Sequence, residues 1–235
     1  MVITMKKQLT LLISMLGLTA CGSLAIMDKS EAVNAQPEML IKTDGDLWGL
    51  GGEGQFTLGA SYEGKYSRDA STSTWFNTIS TKDGSMAAEV TNKDSGKTWL
   101  LSCSGGGTSV KFSMLQFGGN APYLCDISSQ GKPIGTFILE QESKVIDLGT
   151  EDKEKGSIAI DGVHFEVETV HTGSGLMMPL QNPLGYSFKQ KGQEVAAVQT
   201  NGILTVQWLP EMTAQQRDVL AVGAIASALS WRPAD

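Results

Sequence analysis

The side chains in this sequence that could do acid-base or metal chemistry lie in one short run. His164, Glu166 and Glu168 alternate with apolar residues across 163–168. Because alternate residues of a β-strand point to the same side, this spacing places one imidazole and two carboxylates on one face. Such a set could ligate a metal or act as an acid-base pair in hydrolysis. The solvent-facing side of a half-buried strand has the same alternation, and we favour that simpler interpretation, with no metal or cofactor.

The N-terminal segment has the order of features that is typical of an export signal. Lys6 and Lys7 precede an uncharged, apolar run at 9–20, which is too short to span a bilayer as a helix. The motif Leu18-Thr19-Ala20-Cys21 then resembles a bacterial lipobox. The resemblance implies that residues 1–20 are a lipoprotein signal peptide and that Cys21 carries long acyl chains such as palmitate. An ordinary secretory signal that contains a cysteine is the alternative.

The residues after the lipobox bear on where the protein resides. Gly22 stands where lipoproteins kept in the inner membrane have Asp, so the resemblance implies a lipid anchor in the outer membrane and a domain in the periplasm. Residues 21–40 show no sustained period and predict a flexible tether with a reach of about 25 Å. The predicted partners are the membrane, through the lipid, and an unidentified envelope protein or lipid.

The two remaining cysteines, Cys103 and Cys125, predict a disulfide. An even pair in one exported domain favours oxidation, and such a cross-link contributes about 3 kcal/mol in the chain-entropy model. The alternative is a free nucleophilic or redox-active thiol. We favour the disulfide because the sequence has no Cys-x-x-Cys spacing and no histidine close to either cysteine.

Composition sets the class of protein. The chain has 235 residues, of which 41% are hydrophobic and 18% charged, so it is too apolar for a disordered protein. With 18 Lys+Arg against 25 Asp+Glu it lacks the clustered cations that nucleic-acid binding requires. Removal of residues 1–20 would take away Lys6 and Lys7 and change the formal net charge from −7 to −9.

From residue 41 to 235 the pattern predicts one mainly β domain. About a dozen short β-rich runs occur between residues 41 and 208. Asp83-Gly84, Asp161-Gly162 and Asn201-Gly202 lie between such runs, and these dipeptides favour the turns of β-hairpins. The sheet is therefore expected to be largely antiparallel, as a closed barrel of about twelve strands or as a β-sandwich.

The C-terminal segment predicts a buried helix. Thr213-x-x-Gln216 is a capping box, and the run Val219–Leu229 contains no charged residue. A helix that is apolar on every side must be surrounded, and a sheet rolled around it would do so. The alternative is a sandwich with the helix packed on one sheet.

The tail also carries a family resemblance. A Gly-x-x-Val-Ala strand at 192–198 and another strand at Ile203–Trp208 precede the helix, which is rich in Ala. This ending resembles that of the tubby-like superfamily, which includes the LURP-one-related proteins and the phospholipid scramblases. The resemblance implies a barrel of about twelve strands threaded by a hydrophobic C-terminal helix. The phosphoinositide site of tubby proteins is not carried over, because this sequence has no corresponding basic cluster.

One segment is apolar without being a strand. Between residues 176 and 184 it contains Met177, Met178 and Leu180, together with two prolines that exclude it from a central strand. It either covers one end of the barrel as a plug or offers a binding patch to a partner or lipid. We favour the plug, because monomers seldom expose contiguous apolar surface.

Together these patterns predict a lipid-anchored, periplasm-facing envelope protein with a binding or structural role rather than an enzyme. The alternative is an envelope hydrolase that uses His164 and the neighbouring carboxylates. An open strand face around His164 would favour the first hypothesis, and a concave pocket with convergent carboxylates would favour the second.

Overall fold

The fold is known from a computed structural model, which describes residues 25–44, 52–68, 84–105, 111–112, 115–116, 122–142 and 153–230. Twelve antiparallel strands form a closed barrel, as predicted, and the sandwich is excluded. The barrel strands are β2 Met39–Thr43, β3 Glu53–Leu58, β4 Tyr62–Ser67, β5 Gly84–Asn92, β6 Thr98–Ser104, β9 Tyr123–Ser129, β10 Lys132–Gln141, β11 Glu154–Ile160, β12 Val163–Val170, β14 Gly185–Gln190, β15 Gln193–Gln199 and β16 Thr205–Trp208.

Four short strands lie outside the barrel and form two separate pairs. These are β1 Ile26–Met27 with β13 Gly173–Ser174, and β7 Lys111–Phe112 with β8 Leu115–Gln116. Two helices complete the described elements, α1 Glu31–Asn34 and α2 Ala214–Ala228. Around the barrel the strands follow one another in chain order, and the ring closes where β16 pairs with β2.

The two ends of the barrel differ because short and long connections alternate along the chain. We call one the hairpin end, where residues 59–61, 93–97, 130–131, 161–162 and 191–192 join neighbouring strands. Asp161-Gly162 has positive φ at both residues (48° and 81°), which confirms that predicted hairpin. Gln130-Gly131 and Lys191-Gly192 adopt the same conformation, although Gln and Lys are not typical turn residues.

The other end, which we call the loop end, carries the longer connections, among them residues 171–184 and 200–204. Asn201-Gly202 lies in the second of these and joins β15 to β16, with positive φ at Gly202 alone. The remaining predicted turn is Asp83-Gly84. Asp83 lies outside the described residues, and Gly84 is the first residue of β5.

Helix α2 runs through the barrel from the hairpin end to the loop end. The predicted capping box is present: the Thr213 hydroxyl accepts from the Gln216 amide, and the Gln216 side chain accepts from the Thr213 amide. Every residue from Val219 to Ala228 is buried. The helix contacts strands around the barrel wall, namely β5, β6, β11, β12, β14 and β15. The predicted enclosure of an all-apolar helix is therefore confirmed.

The helix packs very closely against the barrel wall. A methyl group added to Gly223 would lie 2.7 Å from a ring carbon of Phe188 and 3.2 Å from Cδ1 of Ile158. At the loop end, the hydroxyl of Tyr123 donates to the carbonyl of Ala226 (3.2 Å). The lumen at this level is thus filled by protein side chains, as in other small barrels.

Cys103 and Cys125 are disulfide-bonded in the structure. They lie directly opposite each other on β6 and β9, and both are fully buried in the barrel core. The pair is therefore part of the packed interior, and neither sulfur is an exposed thiol.

Residues 25–38 form what we call the N-terminal strap, and here the predicted flexible tether is wrong for residues 25–40. The strap crosses the outer face of β14–β16, where Met27 and the fully buried Val33 pack with Leu184 and Ala197. Gln207 donates to the carbonyls of Asn34 and Gln36. Only two apolar side chains of this short segment, Met27 and Val33, are buried in that cluster, and two such residues produce no periodic pattern in the sequence.

One buried cation strengthens the strap. The Lys29 ammonium donates to the Gln207 side-chain oxygen (2.6 Å) and lies 3.6 Å from Glu38, and its side chain is only 1% exposed. The Ser30 amide, next along the chain, donates to a carboxylate oxygen of Glu194 on β15. The strap therefore belongs to the folded body, while residues 21–24 and the whole predicted signal peptide lie outside the described residues.

Candidate functional site

The strand face with the predicted acid-base residues is open. His164, Glu166 and Glu168 share the outer face of β12, as the alternation predicts, with His164 and Glu166 exposed. Glu168 forms an ion pair with Lys189 on the adjacent strand β14. His164 lies opposite Ala159 on β11, which brings no carboxylate to it. The three residues therefore occupy a solvated strand face and do not line either of the cavities described below.

The second histidine, His171, has a structural position. It is buried, and its two ring nitrogens lie 2.9 Å from the carbonyl oxygen of Leu180 and 2.9 Å from the hydroxyl of Thr169. The amide of Leu180 donates in turn to the carbonyl of His171. These bonds attach the middle of the 171–184 connection to the end of β12. Among the described residues, no group of three His, Cys, Asp or Glu side chains could hold a metal ion.

Two concave surfaces lie on the outside of the barrel. The larger, of about 730 Å³, crosses β2–β5 and is lined by Lys42, Gln55, Thr57, Glu63, Lys65 and Glu89, among others. Its charges are largely paired, since Lys65 lies 3.7 Å from Glu89 and Lys93 lies 3.9 Å from Glu63. The second, of about 530 Å³, crosses β6, β9 and β10. Both present strand faces of mixed polarity without a convergent set of reactive groups.

A polar cluster holds the start of the central helix at the hairpin end. Asp218 of α2 accepts hydrogen bonds from the hydroxyl of Tyr62 (3.0 Å) and from the side-chain amide of Asn92 (2.7 Å). Burial, followed by the neighbouring Asp218 carboxylate, raises the pKa of Tyr62 well above its usual range. The cluster fixes the helix to β4 and β5, and sequence spacing could not reveal it because its members are far apart along the chain.

Among the described residues, most of the large apolar side chains that are exposed lie at the loop end. Met177 is fully exposed, Met178 and Ile203 are each 67% exposed, and Ile26 and Leu180 are 53% and 39% exposed. The plug prediction is therefore wrong for Met177 and Met178, which project outward. Leu176 and Leu184, which flank them, pack instead against the strap cluster and hold the segment in place. The sequence pattern does not indicate a surface role for Ile26 and Ile203, because it places them in the tether and in a strand.

Main-chain contacts join these apolar residues into one region. Ile26 and Met27 pair with Ser174 and Gly173, so the strap lies beside the 171–184 connection. The Asn201 side chain donates to the carbonyl of Ala25 (2.9 Å), which brings the 200–204 connection to the same place. We call Ile26, Met177, Met178, Leu180 and Ile203 the apolar rim.

The chain matches no family model, and neither a curated protein nor a solved structure is significantly similar to it. Membership of the tubby-like superfamily therefore stays a prediction based on the tail residues. Of the helices in the described ranges, none has both the length and the apolar character that crossing a membrane requires.

Proposed function

We propose that this protein is anchored by an acylated Cys21 in the outer membrane, with its barrel in the periplasm, and that its role is binding or structural rather than enzymatic. The observation that carries the proposal is the lipobox motif at 18–21 followed closely by folded chain. The described fold begins at Ala25, whose carbonyl already bonds to the body of the barrel. A cleavage before Cys21 would remove none of the residues that the structure describes.

The distribution of reactive groups supports a non-enzymatic role. His164 stands on an open strand face, His171 is fixed by structural hydrogen bonds, and the two cysteines are joined in the core. Catalysis by general acid and base requires such groups to converge where a substrate can bind. The hydrolase alternative predicted a concave pocket around His164, and no observation favours it.

We also propose kinship with the tubby-like superfamily, and the support for it is the fold. A closed twelve-stranded barrel around a hydrophobic C-terminal helix is the architecture that the resemblance implies, and the chain has it. The proposal concerns shared ancestry of the fold, and it brings no ligand site with it.

The anchor can be tested by mass and by location. We expect the N-terminal peptide of the purified protein to begin at Cys21 and to carry the mass of its acyl chains. Cys21→Ser should abolish that mass and release the protein from membranes. Gly22→Asp should move the protein from outer- to inner-membrane fractions of a density gradient, whereas the matched Gly22→Ala should not. An unmodified Cys21 peptide would refute the anchor.

A further inference from the structure

We infer that the loop end of the barrel rests on the membrane surface that holds the anchor, with the apolar rim inserted among the lipids. This inference rests on the proposed lipid anchor and adds to it an orientation and a contact surface. The occupant of the rim is the lipid bilayer itself rather than a protein partner.

The chain between Cys21 and the described fold has a short reach. Four residue steps separate Cys21 from Ala25, and an extended chain covers at most about 3.5 Å per step, so Cys21 lies within about 14 Å of Ala25. Strand β15 alone has seven residues, whose six residue steps correspond to about 20 Å of strand between the hairpin end and the loop end. Ala25 is held at the loop end by Asn201. The anchor must therefore emerge beside the apolar rim and cannot reach the hairpin end.

The side chains of the rim have a chemistry that suits lipid. Met177 and Met178 are unbranched and flexible, and they suit a fluid partner better than a fixed complementary surface. The segment that presents them is itself held rigidly, because His171 binds Leu180 on one side and Leu184 packs under the strap on the other. Exposed side chains on a well-fixed loop are ready to bind without a large ordering cost.

The net charge of the protein does not favour binding to anionic lipid. After removal of residues 1–20 the chain carries a formal net charge of −9, so anionic lipids would repel it. Attraction to a bilayer must then come from apolar contact, which is what the rim offers. We therefore expect that the contact between the apolar rim and the bilayer does not depend on anionic lipid and does not weaken in high salt.

The test uses the full lipidated protein, purified from membranes and reconstituted into phosphatidylethanolamine and phosphatidylcholine vesicles. Met177→Cys places an environment-sensitive fluorophore on the rim, and the matched Glu211→Cys places it at an exposed position of the hairpin end. Cys103 and Cys125 do not react because they are bonded and buried. Acyl-chain quenchers and aqueous iodide are then applied to both labelled proteins, and the mass of the N-terminal peptide is measured in parallel.

We expect the Met177→Cys label to emit at shorter wavelength and to be quenched from the acyl chains, while the Glu211→Cys label is quenched only by iodide. With acylation present, equal iodide quenching at both positions overturns the orientation and leaves the anchor intact. Protection of the rim label from both quenchers means that protein covers the rim, which also overturns the inference. Absence of the acyl mass refutes the anchor, and the inference with it.

Discussion

At the residue scale, the contact that most directly ties the helix to the wall is the pair of hydrogen bonds to Asp218. Its carboxylate accepts from Tyr62 on β4 and from Asn92 on β5, which are neighbouring strands. Tyr62 is almost fully buried and also meets Trp208 edge-on, with ring centroids 6.4 Å apart. A partly buried carboxylate with two donors loses much of its stabilisation when one donor is removed.

Tyr62→Phe should therefore lower the free energy of unfolding by about 1–2 kcal/mol at neutral pH. The folded state raises the pKa of Tyr62 above its ordinary value, whereas the unfolded chain ionises near pH 10. Stability that depends on the protonated hydroxyl is thus complete below about pH 10 and is lost as the pH rises further. Urea unfolding should be measured between pH 7 and 11. The difference in the free energy of unfolding between wild type and Tyr62→Phe should become smaller above pH 10.

Asn92→Ala serves as the comparison, because it removes the other donor without removing a titrating group. Its destabilisation should stay nearly constant over the same pH range. If the destabilisation by Tyr62→Phe were equally constant, the loss of stability above pH 10 would not be due to Tyr62.

At the scale of elements, the distance between helix and wall is set by the smallest residue of α2. Gly223 faces Phe188 and Ile158 so closely that even one additional carbon would require these side chains to move. Gly in a helix normally costs about 1 kcal/mol relative to Ala, so its position here is explained by close approach rather than by helix propensity. Small residues elsewhere on the helix, such as Ala221 and Ala224, are also fully buried.

Gly223→Val should destabilise the protein by about 2–3 kcal/mol, because three added carbons overpack the lumen while helix propensity changes little. Chemical denaturation followed by tryptophan fluorescence measures the loss. Gly52→Val is the matched control, since a side chain at exposed Gly52 meets nothing within 4 Å. Equal stability of the two variants would show that the helix has room to move inside the barrel.

At the scale of the whole molecule, the barrel is closed by strand pairing and cross-linked by one disulfide. Chain-order pairing brings β16 against β2, so the ring is complete only when strands from both ends of the domain have formed. The Cys103–Cys125 bond links β6 to β9 across a sequence separation of 22 residues. It holds two strands in register although a long connection lies between them.

Replacing both cysteines by Ala should lower the free energy of unfolding by about 3 kcal/mol, the value expected in the chain-entropy model for a loop of this length. Wild-type protein that is treated with reductant in denaturant and then refolded should show the same decrease in the free energy of unfolding. In the Cys21→Ser background, a maleimide added in denaturant should label no cysteine before reduction and two after it. Labelling without reductant would show that the bond is absent.

Local sequence pattern is enough to predict those parts of this protein that depend on neighbouring residues. Strand alternation and turns such as Asp161-Gly162 predicted an antiparallel β fold, and the uncharged run at 219–229 favoured a surrounding sheet over a sandwich with the helix on one side. The capping box was readable because its partners lie three residues apart. The outer face of His164 also followed from a period of two residues.

Contacts between residues that are distant along the chain become visible only in the folded protein. Lys29 bonds to Gln207, and Tyr62 bonds to Asp218, across more than 150 positions of chain. Whether Met177 would be covered or exposed depended on the same kind of contact, because a segment without a period is placed by its neighbours and not by its own pattern. The strap and the apolar rim are therefore products of long-range packing, which local sequence does not encode in readable form.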